Sequence, residues 1–243
     1  MKTENRKAKS EPLPPARLVQ RHFSAIARRY DLANDVLSFG QQRRWKRAAV
    51  RLLAPRPGDL VLDVCGGTAD LALLALRAGA GRAVVYDFNP EMLAVGRGKA
   101  APLGLSSRLF WVQGDAEEIS LKTASVDAAL VGFGIRNLTR WERGLQEMHR
   151  VLRPGGRLVC LEFSQPPARW FRLLYDLYSF TAIPLVGKIL AGSREAYVYL
   201  TASIRAFPSP PELARALEKI GFTQVTWQPL TRGIAVIHRG IKR

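Results

Sequence analysis

Residues 60 to 70, Leu-Val-Leu-Asp-Val-Cys-Gly-Gly-Thr-Ala-Asp, constrain this chain more than any other stretch. Leu60, Val61, Leu62 and Val64 form a short apolar run of β-rich composition, which suits a strand buried in a parallel sheet. Asp63 stands at the C-terminal end of that run. Gly66 and Gly67 follow at once, and Ala69 to Leu76 is a run of good helix formers. Strand, glycine turn and helix is how an open α/β sheet builds a ligand crevice. The glycines let the backbone approach a ligand where a Cβ would collide. Asp63 can fix the turn by accepting bonds from its amides. An ordinary βα turn is the plainer alternative.

The pattern recurs downstream. Ala83 to Asp87 reads as a second strand, with Asp87 at its end, 24 positions after Asp63. An acidic residue there is placed to accept both hydroxyls of a ribose. Asn89 followed by Pro90 makes a helix start by itself, which leaves Asp87 free. The helix Glu91 to Ala100 follows. Leu109 to Gln113 is a third strand leading into Gly114-Asp115-Ala116-Glu117. There a carboxylate can bond an adenine amine while the neighbouring amide meets the ring edge. A turn aspartate is the competing reading, yet acidic strand ends at 63, 87 and 115 are hard to explain as three independent turns.

Val126 to Val131 is a fourth strand. It runs into the loop Gly132-Phe133-Gly134-Ile135-Arg136-Asn137-Leu138, at the carboxyl edge where ligands bind. A helix from Trp141 to Leu152 stops at Arg153-Pro154-Gly155-Gly156, and Arg157 to Phe163 is the fifth strand. Residues 168 to 205 interrupt the alternation with apolar helices that form a cap: extra core, a greasy substrate entrance or a membrane-facing surface. Asp176 and Lys188 argue against a membrane span. The helix Pro208 to Ile220 and two strands, Val225 to Trp227 and Gly233 to His238, close the chain. The fold expected is a doubly wound, Rossmann-like α/β sheet, mostly parallel with an antiparallel C-terminal strand.

Ahead of the sheet, residues 1 to 16 read as a disordered basic tail and 17 to 243 as one domain. Its first part, 17 to 58, is a helical arm. Leu18, Val19, Phe23, Ile26 and Ala27 recur at helical spacing. Tyr30 to Gly40 reads as a helix-turn-helix or as a lid over a pocket. Arg43-Arg44-Trp45-Lys46-Arg47 is a solvated helix face or, against the absence of any nucleic-acid motif, a phosphate- or nucleic-acid-binding cluster.

With 37 basic and 20 acidic residues the chain carries +17. That charge implies an anionic partner, nucleic acid or an acidic membrane surface, unless it serves solubility alone. No secretory signal is visible, and no apolar run is long enough to span a bilayer. The expected location is therefore cytoplasmic, peripheral on the inner face of the membrane. Cys65 and Cys160 read as small buried hydrophobes, with no metal or disulfide spacing. His238 reads as structural, and His22 and His149 as helix residues without partners.

The turn Asp63 to Asp70 resembles the first motif of the class I S-adenosylmethionine methyltransferases, D-x-x-x-G-T-G-D, with Ala69 in place of a glycine. A second set narrows the resemblance to the UbiE/COQ5 family. It comprises Tyr30-Asp31 with Asn34, Ser38 and Gly40; Trp45-Lys46; Phe133-Gly134-Ile135-Arg136-Asn137; Arg150 to Gly156; Leu161-Glu162-Phe163-Ser164; Tyr199-Leu200 with Ser203-Ile204; and Thr231 to Ile234 with His238. The resemblance implies C-methylation of a polyprenylated quinol in menaquinone or ubiquinone formation, with S-adenosylmethionine as donor and no metal.

By that resemblance Thr68, Asp87, Asp115, Ala116 and Gly132 line the donor site, beside Asp63 and Gly66 of the turn. Gly132 replaces a serine of some members, so it can contact a ligand only through its backbone. The enzyme must align carbon, methyl and sulfur, with reacting atoms roughly 3–3.5 Å apart. It must also stabilise a developing phenolate and remove the ring proton. Arg136 and Asn137 are the candidates for polarising the ring oxygen, with Tyr30 closing over the ring. Arginine stays protonated, so its role is electrostatic or through a water relay.

A short chain without an evident transit sequence favours the naphthoquinol. Partners implied are the polyprenyl quinol, an anionic membrane surface, and a homodimer through the inserted helices or a quinone-synthesis complex. The alternatives are a methyltransferase for RNA or another lipid, and a non-catalytic donor-binding scaffold. An NAD-dependent oxidoreductase would want G-x-G-x-x-G after the first strand, which Gly66-Gly67-Thr68-Ala69 does not give.

Overall fold

The alternation of apolar strands and helix-forming runs folds into a single sheet. The computed structural model describes residues 16–191 and 194–243. The tail expected over residues 1 to 16 lies, but for its last residue, outside them. The strands are β1 (Leu60–Val64), β2 (Arg82–Asp87), β3 (Leu109–Gln113), β4 (Val126–Gly132), β5 (Leu152–Phe163), β6 (Phe222–Leu230) and β7 (Ala235–Lys242). Their order is β3-β2-β1-β4-β5-β7-β6. β1 to β5 run parallel, and β7 is antiparallel to both its neighbours. The chain reverses direction across the sheet between β1 and β4, the place where an open α/β sheet parts to form a crevice. Val64 pairs with Tyr86 on one side and Val131 on the other, so three strand ends meet level at that crevice.

Helices α1 (Ala16–Ile26), α2 (Tyr30–Leu37), α3 (Gln41–Leu53), α4 (Asp70–Arg77), α5 (Pro90–Ala100), α6 (Trp141–Val151), α7 (Arg169–Ala191), α8 (Arg194–Ala206) and α9 (Pro210–Ile220) surround it. Alternate strand residues face opposite sides. Val61 and Leu130 belong to a core with Trp45, Leu53 and Leu76; Leu62 and Val131 belong to the other, with Leu145, Met148 and Leu217. A third, smaller core of Ile26, Ala33, Ile183 and Tyr197 joins the N-terminal helices to α7 and α8. These four helices cap the carboxyl edge of the sheet. Tyr178 fastens them by donating its hydroxyl to the Leu37 carbonyl at 2.8 Å.

Several expectations need correction. The helical spacing from Leu18 to Ala27 does not run through as one helix: a 3-10 turn at Ala27–Arg29 ends α1 and separates it from α2. α6 does end ahead of Arg153 to Gly156, but the fifth strand starts at Leu152 and not at Arg157: Leu152 pairs with Val126, and a register shift before Ala128 absorbs the irregularity. Arg43, Arg44 and Arg47 form the solvated face expected of the 43–47 run, but its other two residues leave that face. Trp45 is buried and donates Nε1–H to Thr231 Oγ1 at 2.9 Å, and Lys46 points inward. His149 does have a partner: its ring packs edge-on against Phe222, 4.8 Å between centroids. His238 is buried, with Nε2 2.9 Å from the Pro210 carbonyl. Among the described residues no helix is long and apolar enough to cross a membrane.

Candidate active site

The glycine turn builds one wall of a cavity of about 210 Å³ at the crevice. Asp63, Gly66, Thr68, Asp87, Asp115, Ala116 and Gly132 all line it. Within the turn, Cys65, Gly67 and Ala69 take left-handed φ of 53°, 52° and 68°. Ala69 thus occupies a conformation that glycine adopts freely and alanine resists, at roughly 1–2 kcal/mol. Gly66 is demanded by the fold itself: a Cβ would lie 2.8 Å from Val85 Cγ1 and 2.9 Å from the Asp63 carbonyl. At Gly132 a Cβ would meet Leu71 Cδ1 at 2.5 Å, so a serine there requires that leucine to move.

The carboxylates do not play the local roles the sequence suggested. Asp63 accepts nothing from the turn amides. Its Oδ2 takes the Ala72 amide at 2.9 Å. It thereby caps α4, whose own N-cap residue, Ala69, has no side chain to do so. Asp63 Oδ1 is buried without a hydrogen bond. Burial, then the neighbouring Asp87 and Asp70 charges, push the Asp63 carboxyl up to about 7. Asp87 is not free. Its Oδ2 accepts the Gly67 amide and its Oδ1 the Asn89 amide, both at 2.8 Å. Each oxygen keeps a second lone pair, and burial raises its pKa. Asn89 does cap α5, accepting from the Met92 amide at 3.0 Å. Asp115 is exposed and accepts the Glu117 amide at 2.8 Å, the geometry of a turn aspartate.

A charged network ties the N-terminal helices over this cavity. Thr68 donates its hydroxyl to Asp31 Oδ1 at 2.9 Å, and Lys99 Nζ lies 2.6 Å from Asp31 Oδ2. Lys99 also pairs with Asp70, as does Lys46 at 2.7 Å. Burial raises the Asp70 pKa, but Lys46 and Lys99 together hold it below the ordinary value. α2, α3, α4, α5 and the glycine turn are thus joined through five side chains. Lys99 gave no signal in the sequence, since its partners are 29 and 68 residues away.

A second cavity, of about 290 Å³, lies between the sheet edge and the helical cap. Its walls include Phe39, Trp45, Phe163, Leu174, Tyr178 and Tyr197. Phe23, Tyr30 and Phe133 line both cavities and form the partition between them. Burial pushes the Tyr30 hydroxyl up to about 12, so it is a hydrogen-bond donor at neutral pH. Arg136 belongs to the apolar cavity and Asn137 to the polar one.

Arg136 is buried. Its Nη1 donates to Glu162 Oε1 at 2.8 Å and to the Phe133 carbonyl, while Nε has no partner. The guanidinium lies over the Phe163 ring, 5.3 Å from its centroid. Asn137 Oδ1 accepts the Tyr199 hydroxyl at 3.2 Å. Glu162 and Tyr199 were not singled out as site residues from the sequence, although both stand in motifs quoted above. Phe133 holds a left-handed φ of 57°, and Gly134 packs so close that a Cβ would be 2.3 Å from Cys65 Cβ. This tight loop aims Arg136 and Asn137 into different chambers. Among the described residues no group of three His, Cys, Asp or Glu could hold a metal ion.

An acid-lined polar chamber and an aromatic one thus share a wall of three aromatic side chains. Residues 7–242 match the model of the ubiE/COQ5 methyltransferase family. The chain is 48% identical over 225 residues to the ubiquinone/menaquinone biosynthesis C-methyltransferase UbiE of Rubrivivax gelatinosus, covering 92% of this chain and 86% of that protein. It is 41% identical over 255 residues to the mitochondrial 2-methoxy-6-polyprenyl-1,4-benzoquinol methylase of Rattus norvegicus, covering 90% and 78%. Among solved structures, the cyclase SpnF superimposes with a TM-score of 0.70 at 16% identity over 97% of this chain and 99% of that one. A SAM-dependent methyltransferase of Aquifex aeolicus gives 0.58 at 17% identity over 82% and 89%. That a cyclase shares the fold shows that the sheet alone does not fix the reaction.

Proposed function

The chain belongs to the UbiE/COQ5 methyltransferase family, and on that premise we propose that it methylates a ring carbon of a polyprenylated quinol in menaquinone or ubiquinone formation. The observation that carries the reading is the pair of chambers meeting at Tyr30 and Phe133, one polar and acid-lined, the other apolar with a single buried guanidinium at its head.

The polar chamber fits S-adenosylmethionine. A cationic donor suits a site lined by Asp63, Asp70, Asp87 and Asp115, with the uncompensated Asp63 Oδ1 among them. Asp87 takes the ribose hydroxyls through its remaining lone pairs. Asp115 and the Ala116 amide meet the adenine. Thr68, Gly66 and Gly132 form the floor. When bound, the donor supplies an electrophilic methyl group that needs no further activation.

The apolar chamber receives the quinol, with its tail leaving between α2 and α7. Arg136 faces the ring oxygen and favours its deprotonated form, which makes the adjacent ring carbon nucleophilic. Glu162 fixes the guanidinium and compensates its charge. Arg136 cannot accept the ring proton. That proton leaves through water held by Asn137 and Tyr199. Tyr30, protonated at neutral pH, closes over the ring and excludes bulk water from the reacting atoms. The arm and the helical insertion together act as the lid. The protein works peripherally on an anionic membrane surface, where its substrate resides and where +17 is attractive.

The test is a transfer assay with labelled S-adenosylmethionine and two reduced acceptors in detergent, a demethylmenaquinol and a demethylated benzoquinol. Transfer to either supports the reading and identifies the acceptor. Donor binding without transfer to either overturns it and moves weight to a scaffold or another acceptor.

A further inference from the structure

Helix α7 carries an apolar stripe that the described residues leave largely exposed, with only the Arg232 guanidinium lying over its Trp170 ring. Trp170, Leu173, Leu174, Leu177, Leu185 and Ile189 are between 57 and 71% exposed. At about 100° per residue they fall on one side of the helix over roughly 28 Å. Leu32 and Phe39 at the neighbouring α2 are 59 and 79% exposed and extend the patch. A soluble monomer rarely exposes so many large apolar side chains together. Two of them, Phe39 and Leu174, also line the apolar cavity, so the patch surrounds its mouth.

Charge is sorted in the same way. The acidic residues of α2 and α7 are all engaged: Asp31 by Thr68 and Lys99, Asp35 by Gln42 and Arg43, Asp176 by Arg205. Of the basic residues on α7, Arg172 is tied to the Pro166 carbonyl, and the other two are left outward. Arg169 begins α7, and Lys188 stands five turns after Trp170 on the same face; both are exposed.

We propose that the α2–α7 face is a docking surface for an anionic lipid bilayer, seating the mouth of the apolar cavity on the membrane so that a polyprenyl chain passes between lipid and protein without crossing water. This deepens the quinol reading and rests on it for the identity of the molecule that enters. Large apolar side chains bordered by lysine and arginine, with no unpaired acid, match the interfacial region of a bilayer. A second copy fits less well, since it would bring Lys188 and Arg169 of two like-charged faces together.

The experiment is flotation of the full chain with vesicles of phosphatidylcholine alone or mixed with phosphatidylglycerol, for the wild type, the combined Leu173→Ser, Leu177→Ser and Leu185→Ser variant, and Lys188→Glu. None of these four residues lines either cavity. The wild type is expected to float with anionic vesicles and to lose that binding at high salt. The triple variant is expected to partition roughly a hundredfold less. Lys188→Glu should lower binding to anionic vesicles only. Transfer to a short-tailed, water-soluble quinol should be unchanged in both variants, which also shows that they fold. Flotation of the triple variant like the wild type overturns the proposal. So does a wild-type dimer that becomes monomeric in the triple variant, which would make the face a contact between copies. Absence of short-tail transfer in the wild type, with flotation as expected, overturns the quinol reading and leaves the docking face standing.

Discussion

Arg136 and Glu162 stand 2.8 Å apart, Nη1 to Oε1, and both side chains are almost wholly removed from water. Arg136 follows β4 and Glu162 ends in β5, so the register of two adjacent strands sets the pair. Burying two charges costs several kcal/mol each, and their attraction seldom more than offsets it. The pair is therefore poorly explained as a stability device. It is well explained as the means of holding a cation at the wall of an apolar chamber.

Glu162→Gln should leave that guanidinium inadequately compensated and lower unfolding stability by about 3–5 kcal/mol, read from urea denaturation. Arg136→Lys keeps the charge but not the planar guanidinium that lies over Phe163 while its Nη1 donates to both Glu162 and the Phe133 carbonyl. It should reduce single-turnover methyl transfer roughly 10²- to 10³-fold while donor affinity, set in the other chamber, changes little. Wild-type transfer by Arg136→Lys would remove Arg136 from the chemistry.

Asp63 predicts a pH dependence of stability. Its carboxyl is raised to about 7 in the folded protein, against about 3.9 when unfolded. Between those values the folded chain holds a proton that the unfolded chain has released, so stability falls as pH rises from about 4 to 7. Asp63→Asn cannot titrate and still accepts from the Ala72 amide. The variant should gain on the wild type by about 2–3 kcal/mol between pH 5 and pH 8. Parallel curves for the two proteins would contradict the assignment. A bound cationic donor would favour the ionised carboxylate, so donor binding near pH 6 should release protons, measurable by calorimetry in buffers of different ionisation enthalpy.

Asp31→Ala cuts the tie between α2 and the glycine turn, freeing Thr68 and Lys99 together. Lys99 and Asp31 are each about a third exposed, so solvent screens the pair and its loss is about 1 kcal/mol or less. Donor affinity should fall about fivefold, and the difference from wild type should shrink at high salt. An affinity unaltered at low salt would show that the tie does not close the lid.

Tyr199→Phe removes one hydroxyl, the donor to Asn137 Oδ1. One such bond is worth about 0.5–1.5 kcal/mol. The transfer rate should therefore fall up to about tenfold, with the Michaelis constant for the donor unchanged. A change in donor binding alone would place Tyr199 outside the reaction path.

The placement of β1 to β4 was legible because apolar runs, glycine turns and helix starts are local signals. The lining of the polar chamber was legible for the same reason: acidic residues at successive strand ends of a parallel sheet converge on one edge. What Asp63 and Asp87 bond was not. Those partners depend on the register between β1 and β2, where Val64 faces Tyr86, and on the direction of the first turn of α4. The start of β5 was hidden because Pro-Gly-Gly ordinarily ends a segment, whereas here a register shift carries the pairing past it. Glu162 was hidden because a carboxylate within an apolar strand announces no partner until the next strand supplies one. The solvated face of Arg43, Arg44 and Arg47 was legible, but a run of like charges gives no sign that Lys46 among them turns inward to Asp70.

Two chambers meeting at Tyr30 and Phe133 are proposed to hold a methyl donor and a quinol ring within reach of each other. A single turnover with enzyme in excess over a demethylated quinol, followed by fragmentation of the product, tests this most directly. The expected product carries one added methyl on a ring carbon, with both ring hydroxyls intact and the ring proton lost. A methyl ether, or donor bound without any product, would contradict it.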